Sequence, residues 1–270
     1  LVNSVDSKGR VVIKLGGSLI TDKSKSKTIN MSAIDKVCKV ILKIQNEGYN
    51  LVIVHGAGSY GHILAKEMNI ADGIDRNNEH AQRNAVKKIR KDMLELNSHV
   101  IESLENLNLR VAVHPPSKWA KGIGMNFKGD ITIFEKESNR VIPVCFGDVV
   151  DREDEFEFGI LSGDDLMYRL SVEIPDVKYT IFLLGDVGGV MDQPPTNPDA
   201  KILEIWSKNK FVKTKHNSDI DVTGGIDLKL DRAARISKHV SEVWFLDGRN
   251  PNRIIELIND GDTIGTKIIA

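Results

Sequence analysis

The chain has 270 residues, 41% of them hydrophobic, enough to bury one large α/β core or two closely packed lobes. Its 37 Lys and Arg against 38 Asp and Glu nearly cancel, so no global field recruits nucleic acid or an anionic membrane, and any anion site must be local. Cys38 and Cys145 are too few for a disulfide framework and lack metal-site spacing, no apolar run reaches the roughly 20 residues that span a bilayer, and Leu1 to Arg10 is too polar for a signal peptide. The expectation is a cytoplasmic protein with no nucleic-acid or membrane partner.

The β-branched run Val11-Val12-Ile13-Lys14-Leu15 predicts a strand ending at Gly16-Gly17-Ser18, with a basic loop from Thr21 to Thr28. Apolar residues at Ile34, Val37, Val40, Ile41 and Ile44 recur at three and four and predict a helix over Met31 to Asn46, with Ser32 able to cap it. Asn50 to Val54 predicts a buried strand feeding the loop His55-Gly56-Ala57-Gly58-Ser59-Tyr60-Gly61-His62, after which helix resumes at Ile63. A long helix over Asn77 to Leu107 precedes a strand over Leu109 to His114, closed by Pro115-Pro116. Arg140 to Phe146 predicts a strand ending at Gly147-Asp148; an acidic hairpin joins it to a helix opened by Ser162-Gly163-Asp164-Asp165.

Tyr179 to Leu184 is apolar enough for a strand buried on both faces, and it ends at Gly185-Asp186-Val187-Gly188-Gly189-Val190. After the Pro-rich loop Gln193 to Pro198 come Thr223-Gly224-Gly225-Ile226, a helix over Leu228 to Lys238, and a last buried strand from Glu242 to Gly248. Strands alternating with helices predict a three-layer αβα sandwich with a largely parallel central sheet, in one domain without a linker. Ligands then belong at the carboxyl ends of the strands.

Four predicted strand ends carry glycine: Gly16-Gly17, Gly56-Ala57-Gly58, Gly147, and Gly185 with Gly188-Gly189. One such turn need only supply an unusual backbone angle, but several together favour phosphate, because amides at a helix start concentrate partial positive charge. Gly56 to Gly61 formally matches a dinucleotide fingerprint, yet no apolar strand precedes Asp72 or Asp75 where the ribose-binding acid should fall. A P-loop is excluded, since no Gly-Lys-Ser/Thr closes the required spacing.

Lysines complete a phosphate design, since a transferring phosphoryl group is stabilised by placed cations. Lys14 ends a buried strand and needs an anionic partner. Lys23 and Lys229 are further candidates, each readable also as a solvated surface lysine. Asp164 and Asp165 read either as helix caps or as a group that holds Lys14 and Lys229 or helps place Mg²⁺. No dedicated metal cage is visible.

Lys14-Leu15-Gly16-Gly17-Ser18, the His55 to His62 loop, Ser162 to Asp165, Gly185 to Val190 and Thr223 to Ile226 together resemble the amino acid kinase superfamily, over nearly the whole chain. Within it, Lys14 to Lys23 and His55 to His62 look like the isopentenyl phosphate kinases. The resemblance implies ATP-dependent transfer of a phosphoryl group to the phosphate of isopentenyl phosphate, with Mg²⁺ accompanying ATP, in a homodimer. Residues up to about 170 would form an acceptor lobe and those from about 171 a nucleotide lobe.

By the same resemblance Lys14, Lys23 and Lys229 would steady the ATP phosphates, with Gly16, Gly17, Ser18, Gly58 and Gly225 beside them. Gly56, Ala57, Gly61, Gly147 and above all His62 would hold the acceptor; Asp164 would organise the lysines; Asp186 and Gly189 would flank the nucleotide. His55, ending a strand, reads as structural. The chain departs from the family's Thr-Asp-Val-Asp-Gly-Val-Tyr turn at Gly185, Gly188 and Met191, and Ala57 replaces a frequent glycine. Other acceptors on the same fold, or a non-catalytic nucleotide sensor, remain as alternatives. An uncharged tail would lie against apolar residues of the helix over Asn77 to Leu107.

Overall fold

The computed structural model describes residues 7–22, 24–135, 140–208 and 226–270. In chain order the elements are β1 (Arg10–Leu15), α1 (Gly17–Ile20), α2 (Met31–Asn46), β2 (Asn50–His55), α3 (Gly58–Glu67), α4 (Glu79–Glu105), β3 (Arg110–Val113), α5 (Pro116–Trp119) and β4 (Val141–Phe146). They continue with β5 (Asp148–Asp151), β6 (Phe158–Leu161), α6 (Gly163–Glu173), β7 (Val177–Leu184), β8 (Ile205–Ser207), α7 (Ile226–Ile236), β9 (Glu242–Asp247), α8 (Arg253–Asp260) and β10 (Thr266–Ile269).

The β-branched runs form strands because their side chains alternate between two apolar layers. From β1, Val11, Ile13 and Leu15 enter one layer and Val12 the other; in β2, Leu51 and Ile53 part from Val52 and Val54 in the same way. The strands assemble in the order β3-β4-β2-β1-β7-β9-β10-β8. Pairing is parallel from β3 through β9, while β10 runs antiparallel to β9 and takes β8 parallel to itself. The expected largely parallel αβα sandwich is therefore present. Helices α2, α4 and α8 cover one face and α6 and α7 the other.

Helix α2 buries Ile34, Val37, Ile41 and Ile44 completely, each contributing roughly 1.5–3 kcal/mol by the transfer of its side chain out of water. Its cap is Asn30, whose side chain accepts from the Ala33 amide at 3.2 Å. Ser32, the residue the sequence offers for this task, lies inside the first turn of the helix, past the capping position. Helix α6 is capped as expected, the Ser162 hydroxyl accepting from the Asp164 amide at 3.1 Å. The acidic hairpin is the separate antiparallel pair β5–β6, in register from Asp148 opposite Leu161 to Asp151 opposite Phe158.

Candidate active site

Because β4, β2, β1 and β7 are neighbours in the sheet, their glycine turns stand side by side at its carboxyl edge. The first amide after β1, β2 and β4 continues the parallel ladder. Gly16 N–H donates to Leu183 O at 3.0 Å, Gly56 N–H to Leu15 O at 2.9 Å, and Gly147 N–H to His55 O at 3.1 Å. Those amides are engaged by the sheet, so the donors facing a ligand must come one step later. Gly17 and Ser18 open α1, and Ala57 leads into α3, where the first amides of a helix have no carbonyl four residues back.

The two turns touch through their glycines. A Cβ on Gly56 would stand 2.7 Å from Gly17 N, and one on Gly17 would stand 2.5 Å from Gly58 N. Gly58 adopts φ +48°, and a side chain there would meet Thr21 Oγ1 at 2.1 Å. Only glycine combines that angle with that approach. Thr21 locks the arrangement: its hydroxyl donates to Gly17 O at 2.8 Å and accepts from Ser59 N at 3.0 Å.

Lys14 shares the sheet face of Val12, which points its side chain toward the start of α6. Its ammonium pairs with Asp164 Oδ1, and Lys229 Nζ of α7 lies 3.7 Å from Asp164 Oδ2. Burial brings the Lys14 pKa down to about 8, against the opposing pull of Asp164 and with the help of the neighbouring Lys229 charge. For Asp164, burial favours protonation, but the two lysines together hold its carboxyl below the ordinary range. One carboxylate thus gathers two cations that would otherwise repel, and an incoming phosphate chain can share them.

These groups line a cleft of about 260 Å³. Its polar part comprises Lys14, Gly16 to Ser18, Gly56, Ala57, Gly147, Asp164 and Lys229; the apolar remainder includes Ala65 of α3, Ile89 and Met93 of α4, and Val149 and Ile160 of the hairpin. His62 also lines it, on an exposed part of α3. Of the residues chosen from sequence, Gly61 joins them, while Gly58, Asp186 and Gly189 do not line this cleft. Gly58 is packed behind it, and a side chain on Gly189 would meet Thr266 and Ile202. Lys23 and Gly225 lie outside the described residues.

His55 is fully buried, as its structural reading requires. Its ring stacks on Phe146 at 5.0 Å, with Nδ1 3.1 Å from Gly56 O and Nε2 3.2 Å from the Asn97 side chain. Burial takes its pKa down to about 4 despite both contacts, so the ring is neutral near pH 7. It buttresses two glycine turns at once, through Gly56 O and, from its own carbonyl, Gly147 N.

Two acids have roles that the sequence pattern did not reveal. Asp148 lines the cleft but is buried, accepting from Ser117 N at 3.2 Å and Val149 N at 2.8 Å; burial raises its pKa against those donors. It ties α5 to β5. Asp165 turns to α7 instead of capping α6: its Oδ1 accepts from Arg232 Nε at 2.7 Å. The signals for these were a second acid directly after Gly147 and another after Asp164, but only packing identifies their partners.

The fold and the cleft define a class. The chain belongs to the amino acid kinase family, whose sequence profile matches residues 9–247. Within that class it is similar to isopentenyl phosphate kinases. It is 32% identical to the enzyme of Thermoplasma acidophilum, covering 96% of this chain and 99% of that protein. It is 28% identical to that of Methanothermobacter thermautotrophicus, covering 96% and 98%. The product complex of the T. acidophilum enzyme superposes with a TM-score of 0.78 at 29% identity, over 96% of this chain and 99% of that one.

Proposed function

We propose that the chain is an ATP-dependent kinase that phosphorylates isopentenyl phosphate to isopentenyl diphosphate. The observation that carries this is a single cleft with a cationic, glycine-lined part and an apolar part formed by α3, α4 and the β5–β6 hairpin. The first suits two phosphate chains and the second an uncharged five-carbon tail. Similarity to isopentenyl phosphate kinases over 96% of the chain supports the same substrate.

Lys14 and Lys229 neutralise the nucleotide phosphates and the charge that develops during transfer, with Asp164 holding both in place. The amides opening α1 and α3 assist them. His62 donates to the acceptor phosphate, which as a monoester is already an anionic nucleophile and needs no general base. The glycine cradle fits a phosphate, since Gly17 and Gly56 let the two turns close on each other and bring the amides that follow β1 and β2 together. Mg²⁺ accompanying ATP would supply further neutralisation of the phosphate charge that Lys14 and Lys229 share.

The acceptor lobe extends to about residue 170 and the nucleotide lobe begins at about 171, with Lys14 and the turn after β1 reaching the nucleotide phosphates from the first lobe. Ala65, Ile89, Met93, Val149 and Ile160 precede that boundary, and Leu184, Leu228 and Lys229 follow it. Family resemblance supports a homodimer, and the two free, buried thiols, Cys38 and Cys145, suit the reducing cytoplasm. Turnover is tested by ADP release with Mg-ATP and isopentenyl phosphate, UMP or N-acetylglutamate. Isopentenyl phosphate should give the highest kcat/KM by at least about a hundredfold, the scale of selectivity between a buried apolar tail and a polar one. Equal or better turnover of either competitor would remove the substrate assignment.

A further inference from the structure

The start of α6 presents two adjacent carboxylates to two cations one turn apart on α7, and only one couple belongs to the cleft. Asp164 faces Lys229 at 3.7 Å, within the site. Asp165 Oδ1 accepts from Arg232 Nε at 2.7 Å, with side chains only 5% and 13% exposed, and neither residue lines the cleft. Lys229 and Arg232 are three residues apart in α7 and leave the same helix face.

The two couples differ in tightness. Arg232 is held at two points, since its other nitrogen donates to Asp231 Oδ2 at 2.6 Å. Asp231 in turn takes Lys208 and Arg235, each at 2.9 Å. A planar guanidinium fixed in this way sets a helix position, whereas the Lys229 ammonium rides on a flexible four-carbon stem. The apolar contacts of Leu230, Ala233, Ala234 and Ile236 hold α7 against the lower core but are not directional. A displacement on the order of 1 Å at a catalytic group costs roughly a hundredfold in rate, and one residue of helix rise is about 1.5 Å. The register of α7 on α6 is therefore a quantity that the reaction needs fixed.

We propose that Asp165 and Arg232 are a positioning pair for phosphoryl transfer: they set α7 on α6 so that Lys229 reaches the phosphates. This rests on the kinase reading above. It accounts for the second acid after Asp164, which neither caps α6 nor touches the cleft.

Removing one partner alone would leave an uncompensated buried charge, so the informative variant is Asp165→Asn/Arg232→Met. It is compared with wild type, Lys229→Ala and the triple variant, in kcat and in AMP-PNP affinity. The pair variant should lose about tenfold or more in kcat, with acceptor KM within about twofold, and Arg232→Lys should recover part of the loss. In the Lys229→Ala background the same change should cost less than about twofold, because the pair acts through Lys229. An equal loss in both backgrounds, or a lower melting temperature with kcat intact, overturns the proposal. If the pair variant does not fold, Arg232→Lys carries the same cycle. The AMP-PNP arm needs no acceptor: affinity should fall about tenfold in the pair variant and less than about twofold when the same change is made in Lys229→Ala. Unchanged affinity in the first, or an equal loss in both, overturns the pair's role even if wild type fails to use isopentenyl phosphate and the substrate assignment falls.

Discussion

A Cβ on Gly17 would stand 2.5 Å from the backbone nitrogen of Gly58, so the turns after β1 and β2 close on each other with no room for a methyl group. The neighbour is backbone at the start of α3, which cannot swing aside as a long side chain would. Gly17→Ala should therefore separate the turns and spread the amides that face the phosphates. The expected cost is about 1–3 kcal/mol of stability, as for other overpacking changes. AMP-PNP binding by calorimetry should weaken more than about tenfold, because preorganised donors are lost along with stability. An unchanged melting temperature and affinity would show that the turns can part freely.

Lys14 predicts a pH profile. With its pKa near 8 in the free protein, kcat/KM should fall on the alkaline side of pH 8 as the ammonium is lost. Asp164 raises the Lys14 pKa, so Asp164→Asn should move that limb to lower pH, in addition to lowering the rate. Bound ATP adds negative charge beside the ammonium, so the limb of kcat should lie above that of kcat/KM. A limb that stays in place in Asp164→Asn would assign it to another group.

How much of this was legible in sequence depends on how local the cause is. β1, β2, β4, β7 and β9 are readable because apolar runs buried on both faces need no partner to be recognised. The pattern named no element after Gly248, yet α8 and β10 lie there. They are short, and the antiparallel return of β10 beside β9 depends on a sheet already formed. Lys14 was legible because a charged residue among strand apolars demands a counter-ion. Arg232 was not, because on α7 it looks like any exposed helix arginine until α6 is packed against it.

The role proposed for His62, a contact to the acceptor and not to the nucleotide, can be tested by itself. The residue lines the cleft from α3, close in sequence to Gly61 and Ala65. A charge-assisted hydrogen bond to a phosphate is worth about 1.5–3 kcal/mol, so His62→Ala should lower kcat/KM for isopentenyl phosphate about ten- to hundredfold. AMP-PNP affinity should change less than about twofold. Parallel loss of both would place His62 on the nucleotide instead.

His55 makes the fold acid-sensitive. Its folded pKa of about 4 lies below its ordinary value of 6.5. Between those values the unfolded chain binds the extra proton and the folded one does not. The stability this group permits is therefore complete above about pH 6.5 and is lost as pH falls toward 4. Linkage gives a loss of about 2 kcal/mol between pH 7 and pH 5. Urea titrations of wild type and His55→Gln at both pH values isolate it, since other carboxylates cancel in the difference. The variant should be less stable at pH 7, having lost the Phe146 stack, but its pH dependence should be shallower by that amount. Equal slopes would mean that His55 is protonated in the folded protein as readily as in the unfolded one.

Met93 forms part of the apolar wall of the cleft. It is fully buried, lines the cleft with Ile89, and would crowd a Cβ on Gly61 through its sulfur at 3.2 Å. Met93→Ala removes three heavy atoms from that wall. The protein should lose about 2–5 kcal/mol of stability, as for other buried Met-to-Ala changes. The space gained should admit a longer tail, each additional buried methylene contributing about 0.8 kcal/mol. The ratio of kcat/KM for a ten-carbon prenyl phosphate over isopentenyl phosphate should therefore rise by about tenfold or more, the equivalent of two such groups. Lys14, Asp164 and Lys229 are untouched by the change, so AMP-PNP affinity should hold. If the ratio stays constant while stability falls, the collapsed core has refilled the space, and the tail must leave the cleft along another wall.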